Sequence, residues 1–90
     1  MINLPPLDKI GKSYYVLTTV KNFSWYKNDK GEQVWRRFSN SYGYDYTIRG
    51  FAINRAKDIM QWHKGHGAHS VVINNETQEV EWDSVRGLLV

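Results

Sequence analysis

A β-hairpin is predicted most directly by residues 23–38, whose sequence is FSWYKNDKGEQVWRRF. Gly31 suits the left-handed position of a three-residue hairpin loop, which would be Asp29-Lys30-Gly31. The expected pairs across this loop are Asn28 with Glu32, Tyr26 with Val34, Trp25 with Trp35, and Phe23 with Arg37. Directly paired side chains lie on one face of a hairpin. We therefore expect both indoles, Phe23 and Arg37 to share one surface.

The preceding residues extend this hairpin. Residues 13–26 are rich in β-branched and aromatic side chains, which favour a strand. The even positions of the first half predict a buried face, whereas bulky residues occupy odd positions at Phe23 and Trp25. A side-chain period of two cannot shift without an interruption, so we expect an irregularity near residues 21–22. The predicted hairpin covers residues 13–40.

One helix is predicted over residues 48–64. Apolar residues recur there every three or four positions and form one stripe: Ile48, Phe51, Ala52, Ala56, Ile59, Met60 and His63. Thr47 is the expected N-cap, and Gly65 is the expected glycine after the last turn.

A second hairpin is predicted over residues 68–85. In its second strand Val80 and Trp82 are expected to point inward, and the acidic residues Glu79, Glu81 and Asp83 outward. The remaining segments are an N-terminal arm (1–12), a tyrosine-rich loop (41–47) and an apolar tail (86–90).

The element order ββαββ predicts an α+β fold in a single small domain of 90 residues. Strands joined by short turns pair antiparallel, and one helix on one face of a sheet of about four strands is the simplest layered arrangement. The other face of the sheet would then be open to solvent or to a partner.

Composition excludes several classes of protein. The chain has no cysteine, which excludes disulfides and thiolate chemistry. No run approaches the ~20 apolar residues of a membrane span, and the first residues do not resemble a signal peptide. We expect a soluble, cytoplasmic protein with no membrane partner. Its net charge of +3 is only mildly basic, and four acidic residues cluster between Glu76 and Asp83.

Catalytic and metal-binding motifs are not found in the sequence. It contains neither a nucleophile elbow nor a phosphate-binding glycine loop, so we predict a protein without enzymatic activity or cofactor. His63, His66 and His69 are spaced by three, but Gly65 and Gly67 interrupt the helix that would align them, and no metal site is predicted. A nuclease-type enzyme has the right residue types without a defined spacing and is the weakest alternative.

Function is predicted to be binding, because thirteen aromatic residues (four Trp, six Tyr, three Phe) exceed what a small core can hold. The expected partner is a protein, and the expected role is an accessory or inhibitory factor acting on a larger nucleic-acid-processing machine. Trp, Tyr and Arg dominate binding hot spots, and the candidate contact residues are Trp25, Trp35, Arg36, Arg37, Tyr42, Tyr44 and Tyr46. The alternative is nucleic-acid binding by the basic, aromatic hairpin. Self-association through a free strand edge or the apolar tail is a further hypothesis.

Overall fold

An antiparallel sheet and an α-helix make up the fold, seen in a computed structural model that describes residues 13–90. The strands are β1 (Tyr14–Val20), β2 (Arg36–Phe38), β3 (Ala68–Asn74), β4 (Glu79–Asp83) and β5 (Gly87–Leu88), and the helix α1 spans Arg49–Trp62. The sheet order is β2-β1-β3-β4-β5. The predicted α+β class is confirmed, with β5 as a short fifth strand. The predicted N-terminal arm lies outside the described residues.

The interior strand β1 pairs antiparallel with both β2 and β3, and it is buried on both faces. On the helix-bearing face the buried residues form one cluster: Val16, Ala52, Ala56, Ile59, Val72 and Trp82. The opposite face carries a second cluster: Tyr15, Leu17, Val71 and Ile73. Alternate residues of one strand therefore supply two separate cores.

The helix α1 packs on β1 and β3 through Ala52, Ala56 and Ile59. Two residues of the predicted apolar stripe, Ile48 and Phe51, are exposed instead. The residue that caps the helix is Ile48, without a side-chain hydrogen bond, so the predicted Thr47 cap is wrong. No helix in residues 13–90 is long and apolar enough to cross a membrane.

A register shift between β3 and β4 changes the predicted facing of the last hairpin. Val72 pairs with Trp82, but Ile73 pairs with Val80, so Glu81 is an extra residue in β4. Trp82 therefore joins the helix-side cluster while Val80 packs on the opposite one, and the prediction that both share a face is wrong.

The side chain of Glu81 is buried rather than directed outward as predicted. Arg49 Nη1 donates to its Oε1 at 2.9 Å, and Asn74 Nδ2 donates to its Oε2 at 2.8 Å. A buried carboxylate without such partners would be strongly destabilising. The ion pair also ties the first turn of α1 to β4.

The face of the sheet opposite α1 is covered, although it was predicted to be open. Trp35 and Val80 pack against its cluster, and the Arg37 guanidinium lies 4.4 Å from the centre of the Tyr15 ring. Burial raises the pKa of Tyr15 to about 12, and Asp45 adds to this, although the positive charge of Arg37 opposes it. This face is therefore less accessible to solvent or to a partner than predicted.

The two sides of α1 are expected to respond differently to truncation. Ile59→Ala removes a fully buried side chain and should lower the free energy of unfolding by about 2–5 kcal/mol. Phe51→Ala is the matched control on the same helix, and its ring is exposed, so it should change stability by less than about 0.5 kcal/mol. Urea denaturation of both variants measures this, and equal losses would contradict the described packing of α1.

Candidate functional site

The first hairpin is regular only at its tip. Asn28 N donates to Glu32 O at 2.9 Å and Val34 N donates to Tyr26 O at 2.8 Å, which confirms the predicted pairs nearest the loop. Beyond the tip, the residues Ser24–Tyr26 form a turn of 3₁₀-helix instead of a strand. The expected irregularity is confirmed, because β1 ends at Val20 and a turn occupies residues 21–22.

Because of this interruption, the other two predicted pairs do not form. β2 pairs with β1 instead, so that Arg37 lies opposite Leu17 and not opposite Phe23. Trp25 sits in the 3₁₀ turn and Trp35 precedes β2, and no strand pairing joins them.

The interrupted segment is attached to the loop that follows α1. Lys21 N donates to Gly67 O at 3.2 Å, and Asn22 N donates to His66 O at 3.3 Å. Gly67 has a φ of 72°, and a Cβ there would lie 2.9 Å from the Cβ of Lys21, so a side chain would meet both strain and a clash. This crossing places the Phe23 ring 5.9 Å from the ring of His66.

The two indoles lie on opposite sides of the sheet, which corrects the prediction of one shared surface. Trp25 is on the helix side, with its ring 5.7 Å from Phe38. Trp35 packs on the opposite cluster, with its ring 5.3 Å from His69. Arg36 and Arg37 are neighbours in a strand and therefore also point to opposite faces.

The two predicted arginines, Arg36 and Arg37, make their contacts on opposite faces of the sheet. The Arg36 guanidinium lies 5.4 Å from the Trp25 ring, and its Nε donates to the Trp25 carbonyl at 2.9 Å. Arg37 is on the other face, where it forms an ion pair with Asp45 through both its Nε and Nη2. Of these two arginines, Arg36 is the one that lies over an exposed indole.

The predicted tyrosines of the loop are separate from both indoles in the contacts they make. The Asn40 side chain accepts hydrogen bonds from the backbone N–H groups of Tyr42 (2.9 Å) and Tyr44 (3.0 Å), and both rings are exposed. Tyr46 is half-buried, because its backbone pairs with Tyr14 and its ring packs against the helix-side cluster. The seven predicted contact residues therefore do not form one continuous surface.

A continuous surface does form where β2, the 3₁₀ turn and α1 meet. It consists of Phe23, Trp25, Arg36, Phe38, Arg55 and Trp62, and we call it the aromatic–arginine edge. The Arg55 guanidinium lies 5.0 Å from the Trp62 ring and 5.8 Å from the Phe38 ring, so it bridges the helix and the strand. Trp25 is 53% exposed and Trp62 is 58% exposed.

The predicted contact residues did not include Phe23, Phe38, Arg55 or Trp62. The last two belong to α1. They are seven positions apart, so they lie on the same side of α1 about two turns from each other. Trp62 also falls outside the predicted apolar stripe, and an aromatic residue off that stripe is the signal that could have found this side of the helix.

The two arginines of the aromatic–arginine edge differ from Arg37 and Arg49 in their partners. Arg37 and Arg49 are paired with carboxylates, but neither Arg36 nor Arg55 forms an ion pair within this part of the chain. The Nε of Arg55 is buried and has no acceptor among the described residues. The edge therefore combines exposed rings with two guanidinium groups that form no ion pair in this part of the chain.

A partly buried hydrogen bond links Tyr26 and His63 next to the aromatic–arginine edge. The Tyr26 hydroxyl is 3.0 Å from His63 Nε2, and Tyr26 is fully buried. Burial raises the pKa of Tyr26, although Arg36 opposes this; burial lowers the pKa of His63, and His66 adds to that effect. The Tyr26 hydroxyl is therefore held in its un-ionised form.

The three histidines do not converge on one point. His63 and His66 both contact Phe23, whereas His69 lies in β3 beside Trp35, with its Nε2 3.1 Å from Asp83 Oδ1. Burial favours the neutral acid of Asp83, but hydrogen bonds from Val85 N and from His69 outweigh it and lower the pKa of Asp83. Among the described residues, no group of three His, Cys, Asp or Glu could hold a metal ion.

A shallow groove of about 400 Å³ lies between α1 and β4. Met60 and Trp82 contribute its apolar surface, and Lys57 and Lys64 stand on the helix side. Trp82 is only 8% exposed, so a ligand would gain little contact with its ring. The aromatic–arginine edge offers the larger exposed aromatic area.

Comparison with known proteins gives no relative: no protein-family model matches the chain, and neither a curated protein nor a solved structure is significantly similar to it.

The opposite placement of the two indoles has a measurable consequence. Trp35→Ala removes packing from the cluster opposite α1 and should lower the free energy of unfolding by about 2 kcal/mol or more. Trp25→Ala removes a half-exposed ring and is expected to lower it by less. Chemical denaturation followed by circular dichroism compares the two. A larger loss for Trp25→Ala would contradict this assignment of core and surface.

Proposed function

We propose that this chain is a non-catalytic binding protein that docks a partner protein through the aromatic–arginine edge. The observation that carries the proposal is the combination of half-exposed Trp25 and Trp62 with two arginines that lack a carboxylate partner within residues 13–90. Trp and Arg are the residues most enriched in binding hot spots, because each provides a large contact area with a defined polar group.

Pre-organisation supports this use of the surface. Arg36 and Arg55 lie over aromatic rings, and the Arg36 Nε is also held by a backbone carbonyl. Arginine side chains that are already ordered lose less conformational entropy when they bind. The partner surface best suited to such a site presents apolar side chains together with carboxylates, which guanidinium groups bind with two parallel hydrogen bonds.

A protein partner is favoured over nucleic acid by the charge of the chain. The net charge is +3, and the acidic residues of the last hairpin oppose a broad phosphate-binding surface. Within residues 13–90 the edge has two unpaired arginines among six residues, and its remaining members are apolar rings. This ratio is typical of the centre of a protein interface, where charged residues are few.

A random peptide library displayed on phage tests the proposal. Peptides retained by the immobilised protein should be enriched in Asp, Glu and large apolar residues. Trp25→Ala and Trp62→Ala should each weaken a recovered peptide about ten-fold or more, since a hot-spot residue contributes about 2 kcal/mol. Fluorescence anisotropy of the labelled peptide measures the affinity. Tyr42→Ala is the matched control, because it removes an exposed ring outside the edge.

Two outcomes would contradict the proposal. The first is peptide binding that survives both tryptophan substitutions and Arg55→Ala. The second is tight binding of a labelled poly(dT) oligonucleotide that falls steeply with salt and is lost in Arg36→Ala and Arg55→Ala, which would assign the edge to nucleic acid. Circular dichroism of each variant verifies that the fold is retained.

A further inference from the structure

We infer that acid opens the aromatic–arginine edge by protonating His63, so that this surface is assembled at neutral pH and released in acid. The consequence for partner binding rests on the proposed function. The opening itself is a property of the free protein and can be tested without any partner.

The hydrogen bond between Tyr26 and His63 links the aromatic–arginine edge to the end of α1. The Tyr26 ring is fully buried and lies 4.9 Å from the exposed ring of Trp25. Its hydroxyl is 3.0 Å from His63 Nε2, which joins the 3₁₀ turn to the end of α1. The Phe23 ring covers the same imidazole at 5.0 Å. Two exposed rings of the edge are thus positioned by groups that contact His63.

Protonation of His63 destabilises its contact with Tyr26. A neutral imidazole has one nitrogen that can accept a hydrogen bond, whereas an imidazolium donates from both nitrogens. The Tyr26 oxygen can accept a hydrogen bond from protonated Nε2, but the hydrogen of this buried hydroxyl then has no acceptor on His63. His63 Nδ1 is buried and has no hydrogen-bond partner in the described part of the chain, so protonation adds a second buried donor without an acceptor, whichever neutral tautomer is present. A buried donor without an acceptor is strongly unfavourable.

The groups around His63 do not stabilise a positive charge. Tyr26 faces it from the 3₁₀ turn and is held un-ionised, and His66 faces it from the loop after α1. The positive charge of Arg36, in β2, acts on Tyr26. Each of these neighbours is neutral or positive, and no carboxylate of residues 13–90 forms an ion pair with His63.

The direction of the pH effect follows from the pKa of His63, which burial and then His66 lower from its ordinary value of 6.5. The folded protein therefore binds this proton less tightly than the unfolded chain does. The stabilisation provided by neutral His63 is complete above pH 6.5 and is lost as the pH falls from there through the lowered value. The unpaired donors at this contact then favour opening of the segment that carries Phe23 and Trp25, because opening lets water accept their protons.

Nuclear magnetic resonance of the free protein tests the inference. The Trp25 indole N–H signal should move along the same curve as the His63 ring signal, with a midpoint below pH 6.5. His63→Gln retains a polar side chain without a titrating ring, and it should remove the acid transition of Trp25. His66→Gln is the matched control: it should keep the transition and move its midpoint upward, because one positive neighbour is lost.

Three results would overturn the inference: a Trp25 signal that stays constant while His63 titrates, an acid transition that persists in His63→Gln, or a His63 midpoint at or above 6.5. If His63→Gln does not fold, the two wild-type curves decide the question alone. The affinity of a peptide selected at neutral pH should fall as the pH is lowered, with the same midpoint as the His63 signal. Failure to obtain a peptide counts against the proposed function. Trp25 signals that do not change with pH count against this inference.

Discussion

Burial of β1 on both faces is the constraint on which the rest of the structure depends. β1 is hydrogen-bonded to a neighbour on each side, and its residues from Tyr15 to Val20 are nearly inaccessible to solvent. Its alternate side chains therefore supply two cores at once, one under α1 and one under Trp35 and Val80. The same alternation in β2 separates Arg36 from Arg37, since each residue faces the core that its partner in β1 faces.

The position of the candidate interface follows from the interruption after β1. If the strand had continued past Val20, Trp25 would have faced Trp35, and both would lie on one sheet surface. The chain instead crosses to the loop after α1, where Lys21 and Asn22 bind backbone carbonyls, and then forms a 3₁₀ turn around buried Tyr26. That path brings Trp25 beside Phe38 and extends the aromatic surface onto the helix through Arg55.

The arginines of β2 and α1 make two kinds of contact. Arg37 of β2 is paired with Asp45 of the tyrosine-rich loop. Arg49 of α1 is paired with Glu81 of β4, so each ion pair joins two elements. Arg36 and Arg55 lie over rings instead and form no ion pair within residues 13–90. A guanidinium on an aromatic face retains free N–H groups, which makes the edge suited to a partner that supplies both carboxylates and apolar contacts.

From the sequence alone, the α+β class, the position of the helix and the tip of the first hairpin were predictable, because each depends on residues close together in the chain. Periodicity located α1, and Gly31 with Asn28 specified the loop. The face on which each indole lies was not predictable, because side-chain alternation is informative only while a strand is continuous. The bulge at Glu81 and the covering of the sheet opposite α1 were likewise set by packing between distant segments. Tertiary structure alone brought Trp25, Phe38, Arg55 and Trp62 together, since they come from three separate elements and no local pattern links them.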